Sequence, residues 1–190
     1  MKLFFKVILF LLFCFYLFIL TQTILFKFVP INAIIHHPLI VFSNHRRLDA
    51  IISYITFKDI SFRLRSINLI PFKTITFYLF ADISLGYRIE NLAGNIIGFM
   101  PFGFILPVLS KRFFKFKTIT LATFSLSLTY ETLQLLFGFG SFDVDDLILN
   151  TLGGILGYFS INFIYLLITS TLMNFKKSKS VNLFNNIGRN

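Results

Sequence analysis

Residues 125–158 read SLSLTYETLQLLFGFGSFDVDDLILNTLGGILGY, two apolar runs on either side of a tight loop that carries Asp143, Asp145 and Asp146. Each run is long enough to belong to a membrane helix. The first nevertheless contains Glu131 and Gln134, and the second contains Asn150 with Gly153, Gly154 and Gly157. Ionisable and amide side chains are costly in hydrocarbon, so their presence inside such runs marks a candidate functional site. The rest of the chain reads as support for that polar cluster.

Composition sets the class. A mean hydropathy of +0.79, 28 phenylalanines and only 14% charged residues in a 190-residue chain exclude an ordinary soluble globule. Apolar runs of about 20 residues predict transmembrane helices. The formal charge of +10 would suggest nucleic acid in a soluble chain. Here the lysines and arginines flank or link the apolar runs, which points to topology and membrane lipids and excludes nucleic acid as a partner. Cys14, the single cysteine, sits inside an apolar run as a packing residue, with no intrachain disulfide or thiolate metal site to form.

The expected fold is all-α, a polytopic membrane protein with about four transmembrane helices and a long extracytoplasmic connector between the first and second. Residues 1–27 form the first span; its length and the lack of an A-x-A pattern before Lys27 predict a retained helix, not a signal peptide. The connector, 28–90, lies outside or at the interface, with a short amphipathic helix over Leu48–Phe57 and a half-exposed strand over 60–65. Residues 91–173 form the core, with spans at 91–110, 118–137 and 147–173. Pro101 should kink the second span, and the Gly94–Gly98 spacing should let another helix approach it. The tail, 174–190, is polar, basic and expected to be mobile. There is no internal repeat.

Lysines and arginines in short loops orient the chain. The basic loop 111–117 and the tail go to the cytoplasm, and the acidic loop 138–146 goes outside, which leaves both termini cytoplasmic in a multi-pass protein. The connector is basic yet outside, but it exceeds the length of about 60 residues over which the rule holds.

With about 1.5 Å of rise per residue, Asn95, Glu131 and Asn150 then fall at similar depth in the outer leaflet, beneath the aspartate loop. Ser127, Glu131 and Gln134 share one helix face; Asn150, Gly153, Gly154 and Gly157 share another; Asn91, Asn95 and Gly98 share a third. Glu131, a carboxylate buried among helices, is the candidate catalytic acid or base. Arg88, Asn91, Asn95, Gln134, Asp143, Asp145, Asp146 and Asn150 are the candidate ligand-binding groups around it. The same amides read equally as hydrogen-bonding glue between helices. Clustered aspartates suit Mg²⁺ or Ca²⁺, but capping of the fourth helix by Asp145 or Asp146 explains the cluster more simply, so no metal centre is expected. His36, His37 and His45 have no carboxylate or cysteine at ligand spacing and read as solvated or interfacial.

In order along the chain, Arg65-Ser66-Ile67-Asn68-Leu69-Ile70-Pro71-Phe72, Asn91…Asn95 running into Phe99-Met100-Pro101-Phe102-Gly103, Ser127-Leu128-Thr129-Tyr130-Glu131…Gln134 and Asp143-Val144-Asp145-Asp146…Asn150-Thr151…Gly153-Gly154…Gly157 resemble the VanZ-like family of bacterial membrane proteins. The resemblance covers roughly residues 60–160 and adds Asn68 to the candidate ligand-binding residues. It implies a role in the bacterial cell envelope and, from the family's association with glycopeptide antibiotic resistance, lowered sensitivity to teicoplanin. It implies no settled reaction or cofactor. The stretch from Lys27 to Arg65 looks longer than the family's usual connector.

Three functions follow as alternatives. In the first, a non-catalytic module binds an envelope lipid, glycolipid or anionic lipid-linked precursor in an outer-leaflet polar pocket, with arginines 63, 65 and 88 meeting phosphate. In the second, a membrane enzyme uses Glu131 with an aspartate of the 143–146 loop on a lipid-linked substrate. In the third, the chain is a structural partner in an envelope complex.

Overall fold

The computed structural model describes residues 2–25, 64–65, 67–137 and 140–187. Five α-helices account for most of them: α1 Lys2–Leu25, α2 Lys73–Phe80, α3 Leu85–Leu109, α4 Phe116–Phe137 and α5 Val144–Ile187, with a 3-10 turn at Lys111–Phe114 between α3 and α4. Among the described residues there is no strand; an isolated parallel bridge joins Asn68 to Asp143. The amphipathic helix expected over Leu48–Phe57 lies outside the described residues. So does most of the strand expected over 60–65, and Leu64 and Arg65 at its end carry helical backbone.

Among the described residues, three helices are long and apolar enough to cross a membrane: α1 over Phe4–Leu25, α3 over its whole length, and α5 over Val144–Thr171. Their exteriors are lined with exposed apolar side chains, among them Phe4, Phe10, Phe15, Ile97, Phe163 and Leu166. Such a surface belongs in lipid, and the protein is membrane-embedded. α4 has 22 residues, about 33 Å of helix. Its threonines, serines, Glu131 and Gln134 make it less apolar than the other three.

Helix boundaries differ most from those expected in two places. α3 starts at Leu85, not Asn91, because the Ser84 hydroxyl accepts the Tyr87 N–H at 3.3 Å and nucleates the helix earlier. Arg88 therefore stands in the first turn of a helix, not in a connector. α5 continues beyond its apolar part to Ile187, so backbone expected to be mobile is helical. Pro101 and Pro107 lie inside α3 without ending it.

α3 packs against α5 most closely, and glycine is the reason. A Cβ built on Gly153 would fall on the Ile96 carbonyl, one on Gly157 on the Met100 carbonyl, and one on Gly103 on the Gly154 carbonyl. Gly154 in turn faces the Thr123 side chain of α4. The glycine face expected on the last span is thus the contact face. The expectation for Gly94 and Gly98 is corrected: Gly94 faces open space, and a Cβ on Gly98 would make an ordinary 3.5 Å contact with Leu20 of α1. The G-x-x-x-G spacing is present, but the helix is rolled so that Gly103 seals the interface instead. α1 is tied on by Phe13 and Leu20, by the Tyr16 hydroxyl donating to the Gly98 carbonyl at 2.7 Å, and by Thr21 sharing a 2.9 Å hydrogen bond with the Tyr130 hydroxyl.

Candidate functional site

α3, α4 and α5 alternate in direction, so the N-termini of α3 and α5 and the C-terminus of α4 meet at one end of the bundle. The aspartate loop closes that end, and the segment Asn68–Phe80 folds across it. Two backbone hydrogen bonds start the contact: the Asn68 N–H donates to the Phe142 carbonyl at 2.9 Å, and the Val144 N–H donates to the Asn68 carbonyl at 3.0 Å.

Asp143 and Asp145 then lock it. Asp145, fully buried, accepts the Phe72 N–H at 2.5 Å through Oδ1 and the Thr74 and Ile75 N–H groups at 2.7 and 3.1 Å through Oδ2. Those last two amides belong to the first turn of α2. Asp145 thus caps α2 from another part of the chain, a correction to the expectation that it caps its own helix. Asp143 caps α5: its Oδ1 accepts the Asp145 N–H at 2.8 Å. The same Oδ1 accepts the Asn68 amide at 2.8 Å, and Oδ2 accepts the Thr74 hydroxyl at 2.6 Å. Charge-assisted bonds of this kind are about twice as strong as neutral ones, and the N-termini of α2 and α5 add favourable dipoles. Phe72 adopts φ 66°, which fits the third position, where glycine is usual, of a type II turn that begins at Ile70 and has Pro71 second. The Asp145 bonds on either side of it hold that backbone in place.

Below the loop, amides and Glu131 join the helices. Glu131, 1% exposed, accepts the Asp143 N–H at 2.9 Å. Asn95 donates to Asp146 at 2.6 Å, from α3 to α5. Asn150 donates to the Ser127 hydroxyl at 2.9 Å, from α5 to α4. Gln134 donates to the Ile24 carbonyl at 2.8 Å, from α4 to α1. Asn91 donates to the Tyr87 carbonyl of its own helix at 2.8 Å. Arg88 donates through Nη2 to the Ala81 carbonyl at 3.0 Å, pinning the α2–α3 turn. Asn95, Glu131, Asp143, Asp145 and Asp146 therefore meet through one loop, Asn68 joins them from the far side, Asn150 lies below on the α4–α5 contact, and Gln134 lies against α1.

Among the described residues, four buried side-chain atoms have no hydrogen-bond partner: Arg88 Nε, Asn150 Oδ1, the neighbouring Thr151 Oγ1, and Thr120 Oγ1 on α4. Among the described residues, no group of three histidine, cysteine, aspartate or glutamate side chains is placed to hold a metal ion.

Thr74, the Phe72 amide and Tyr78 complete the site and are absent from the expected residue set. Burial, then the adjacent Tyr87 phenol, then the Asp146 and Asp143 carboxylates raise the Tyr78 pKa, so its phenol stays protonated beside the loop. The two tyrosine rings meet edge to face at 5.9 Å. Pro71 signals a turn here, but nothing local shows that the turn's amides face Asp145. Leu69, Ile70, Phe72, Phe77, Leu79 and Phe80 point away from the polar groups and are exposed, which makes an apolar rim around the closed end.

With this geometry in place, the relatives can be compared. The VanZ/LLP1 family model matches residues 33–169, which is most of the chain and includes every residue of the site. This chain belongs to the VanZ-like family. The Protein VanZ of Enterococcus faecium is 34% identical to it over 100 residues, 51% of this chain and 53% of that protein. The match therefore spans about half the length of that VanZ relative. The VanZ/LLP1 region also takes in most of the stretch between Lys27 and Arg65. No solved structure matches.

Proposed function

We propose that this protein is a non-catalytic, multi-pass protein of the bacterial cell envelope that binds the headgroup of an anionic, lipid-linked envelope precursor in the outer leaflet and thereby lowers sensitivity to teicoplanin. On this reading α4 is a fourth span, both termini are cytoplasmic, the chain between α1 and α3 is outside, and the apolar rim of Leu69–Phe80 dips into the outer leaflet.

The observation that carries the reading is that two of the four unmatched buried atoms, Arg88 Nε and Asn150 Oδ1, belong to polar side chains at the closed end of the bundle. Arg88, Asn91 and Asn95 share one face of α3, at i, i+3 and i+7, and this face descends from the rim to Asp146. A buried polar atom left without a partner costs about 1–3 kcal/mol, and Arg88 Nε and Asn150 Oδ1 both stand in that condition. A phosphate-bearing headgroup would supply the acceptor that Arg88 Nε lacks, and a sugar or amide group the donor that Asn150 Oδ1 lacks. Glu131 anchors the loop through the Asp143 amide, which favours a positioning role over acid/base chemistry.

The test is teicoplanin susceptibility of cells carrying wild type or single variants at matched membrane levels. Wild type should raise the inhibitory concentration, and Arg88→Gln should abolish most of the rise. Glu131→Gln should weaken it only partly, since an amide oxygen still accepts the Asp143 N–H. Complete loss with Glu131→Gln, in normally inserted protein, would move the assignment to a membrane enzyme. No shift with wild type removes the antibiotic part of the proposal.

A further inference from the structure

The opposite end of the bundle carries a second built surface. Lys111, Arg112, Lys115 and Lys117, four cations within seven residues, are all exposed there. The acidic side chains among the described residues, at positions 82, 90, 131, 143, 145 and 146, all belong to the other end. The cations do not sit on a loose loop. The Tyr158 hydroxyl of α5 donates to the Phe114 carbonyl at 2.9 Å and holds the 3-10 turn against the bundle. Phe114 meets Tyr165 at 6.0 Å between ring centroids, and Phe116 meets Tyr158 at 6.0 Å and Phe159 at 5.9 Å. These rings brace the turn between α3 and α4 against α5. The four cations are therefore presented on an aromatic platform at one end of the bundle, with no acidic side chain of the described chain beside them.

We infer that the turn between α3 and α4 is a docking surface for anionic phospholipid headgroups. Charge complementarity selects this occupant: the membrane surface is the phosphate-rich phase at the ends of a membrane-embedded bundle. A topology signal alone requires only that the cations exist in the loop; the Tyr158 bond and the ring stack fix where they stand. This surface does not depend on the function proposed for the carboxylate end.

The full chain would be purified from vesicles holding phosphatidylglycerol and phosphatidylcholine in equal amounts, and the retained lipids counted by native mass spectrometry. Wild type should retain phosphatidylglycerol over phosphatidylcholine by about tenfold or more at low salt. The preference should fall towards parity near about 1 M salt, where screening is strong. Replacing all four cations by glutamine should bring the ratio to parity at low salt. Because these cations also help to orient the chain, the pair variant Lys115→Gln/Lys117→Gln provides a milder test and should give an intermediate ratio. Lys176→Gln/Lys177→Gln/Lys179→Gln, in the α5 extension, should lower the ratio by less than the four-cation variant does. Equal retention of the two lipids by wild type, an unchanged preference in the four-cation variant, or a preference lost only in the α5 variant would overturn the inference.

Discussion

Asp145→Asn should release the segment Asn68–Phe80 from the bundle while α3, α4 and α5 stay packed. The carboxylate accepts three backbone N–H groups, and both of its oxygens are used. Asparagine keeps one acceptor and turns the other position into a donor that faces donors. At least one of the three amides is then left buried without an acceptor, and the charge that strengthened the others is gone. The expected cost is roughly 3–5 kcal/mol, from unmet hydrogen bonds and a lost charge-assisted cap. Because the α3–α5 interface is sealed elsewhere, by the glycines, the loss should be local. Hydrogen exchange reads it directly: the Phe72, Thr74 and Ile75 amides should exchange at least about a hundredfold faster, with the α5 amides around Gly157 unchanged. Unchanged protection at those three amides would show that Asp145 does not hold the segment.

The second large effect is expected from Gly157→Leu. The new Cβ would collide with the Met100 carbonyl, a backbone atom that cannot move unless the whole of α3 moves. Overpacking typically costs 1–3 kcal/mol, and a clash with helix backbone lies at or above the top of that range. In a membrane bundle, where close packing drives helix association, the consequence is loss of the folded form. Gly94→Leu serves as the control, since a side chain there enters open space. Size-exclusion profiles of detergent extracts separate the two: Gly157→Leu should aggregate or fail to accumulate, and Gly94→Leu should run as wild type. The reverse pattern would mean that α3 faces α5 through Gly94.

These two effects mark how far the sequence could be read. The aspartate loop, Glu131 and Asn150 were visible because a polar group inside an apolar run has no cheap explanation, whatever the fold around it. The Gly153/Gly157 face was visible because Asn150 sits on the same stripe and fixes its direction. Gly94 and Gly98 have the same spacing, but nothing in their own helix says which way that stripe is rolled; this depends on the partner. The capping of α2 by Asp145 was hidden for a similar reason. Its donors lie some seventy residues away in the chain, and a cap read locally can only be assigned to the helix that contains the aspartate. The start of α3 was missed because Arg88 and Glu90 lower the hydropathy of a turn that Ser84 had already nucleated.

The central claim, a headgroup site at Arg88 and Asn150, is tested most directly by binding. Wild type and Arg88→Gln, reconstituted in nanodiscs, would be titrated with a polyprenyl-diphosphate-linked saccharide and the bound lipid measured by native mass spectrometry. Wild type should bind it saturably, and loss of the guanidinium should weaken binding by about tenfold or more, the scale of one charge-assisted hydrogen bond. Equal binding by both proteins, or none by wild type, would contradict the account.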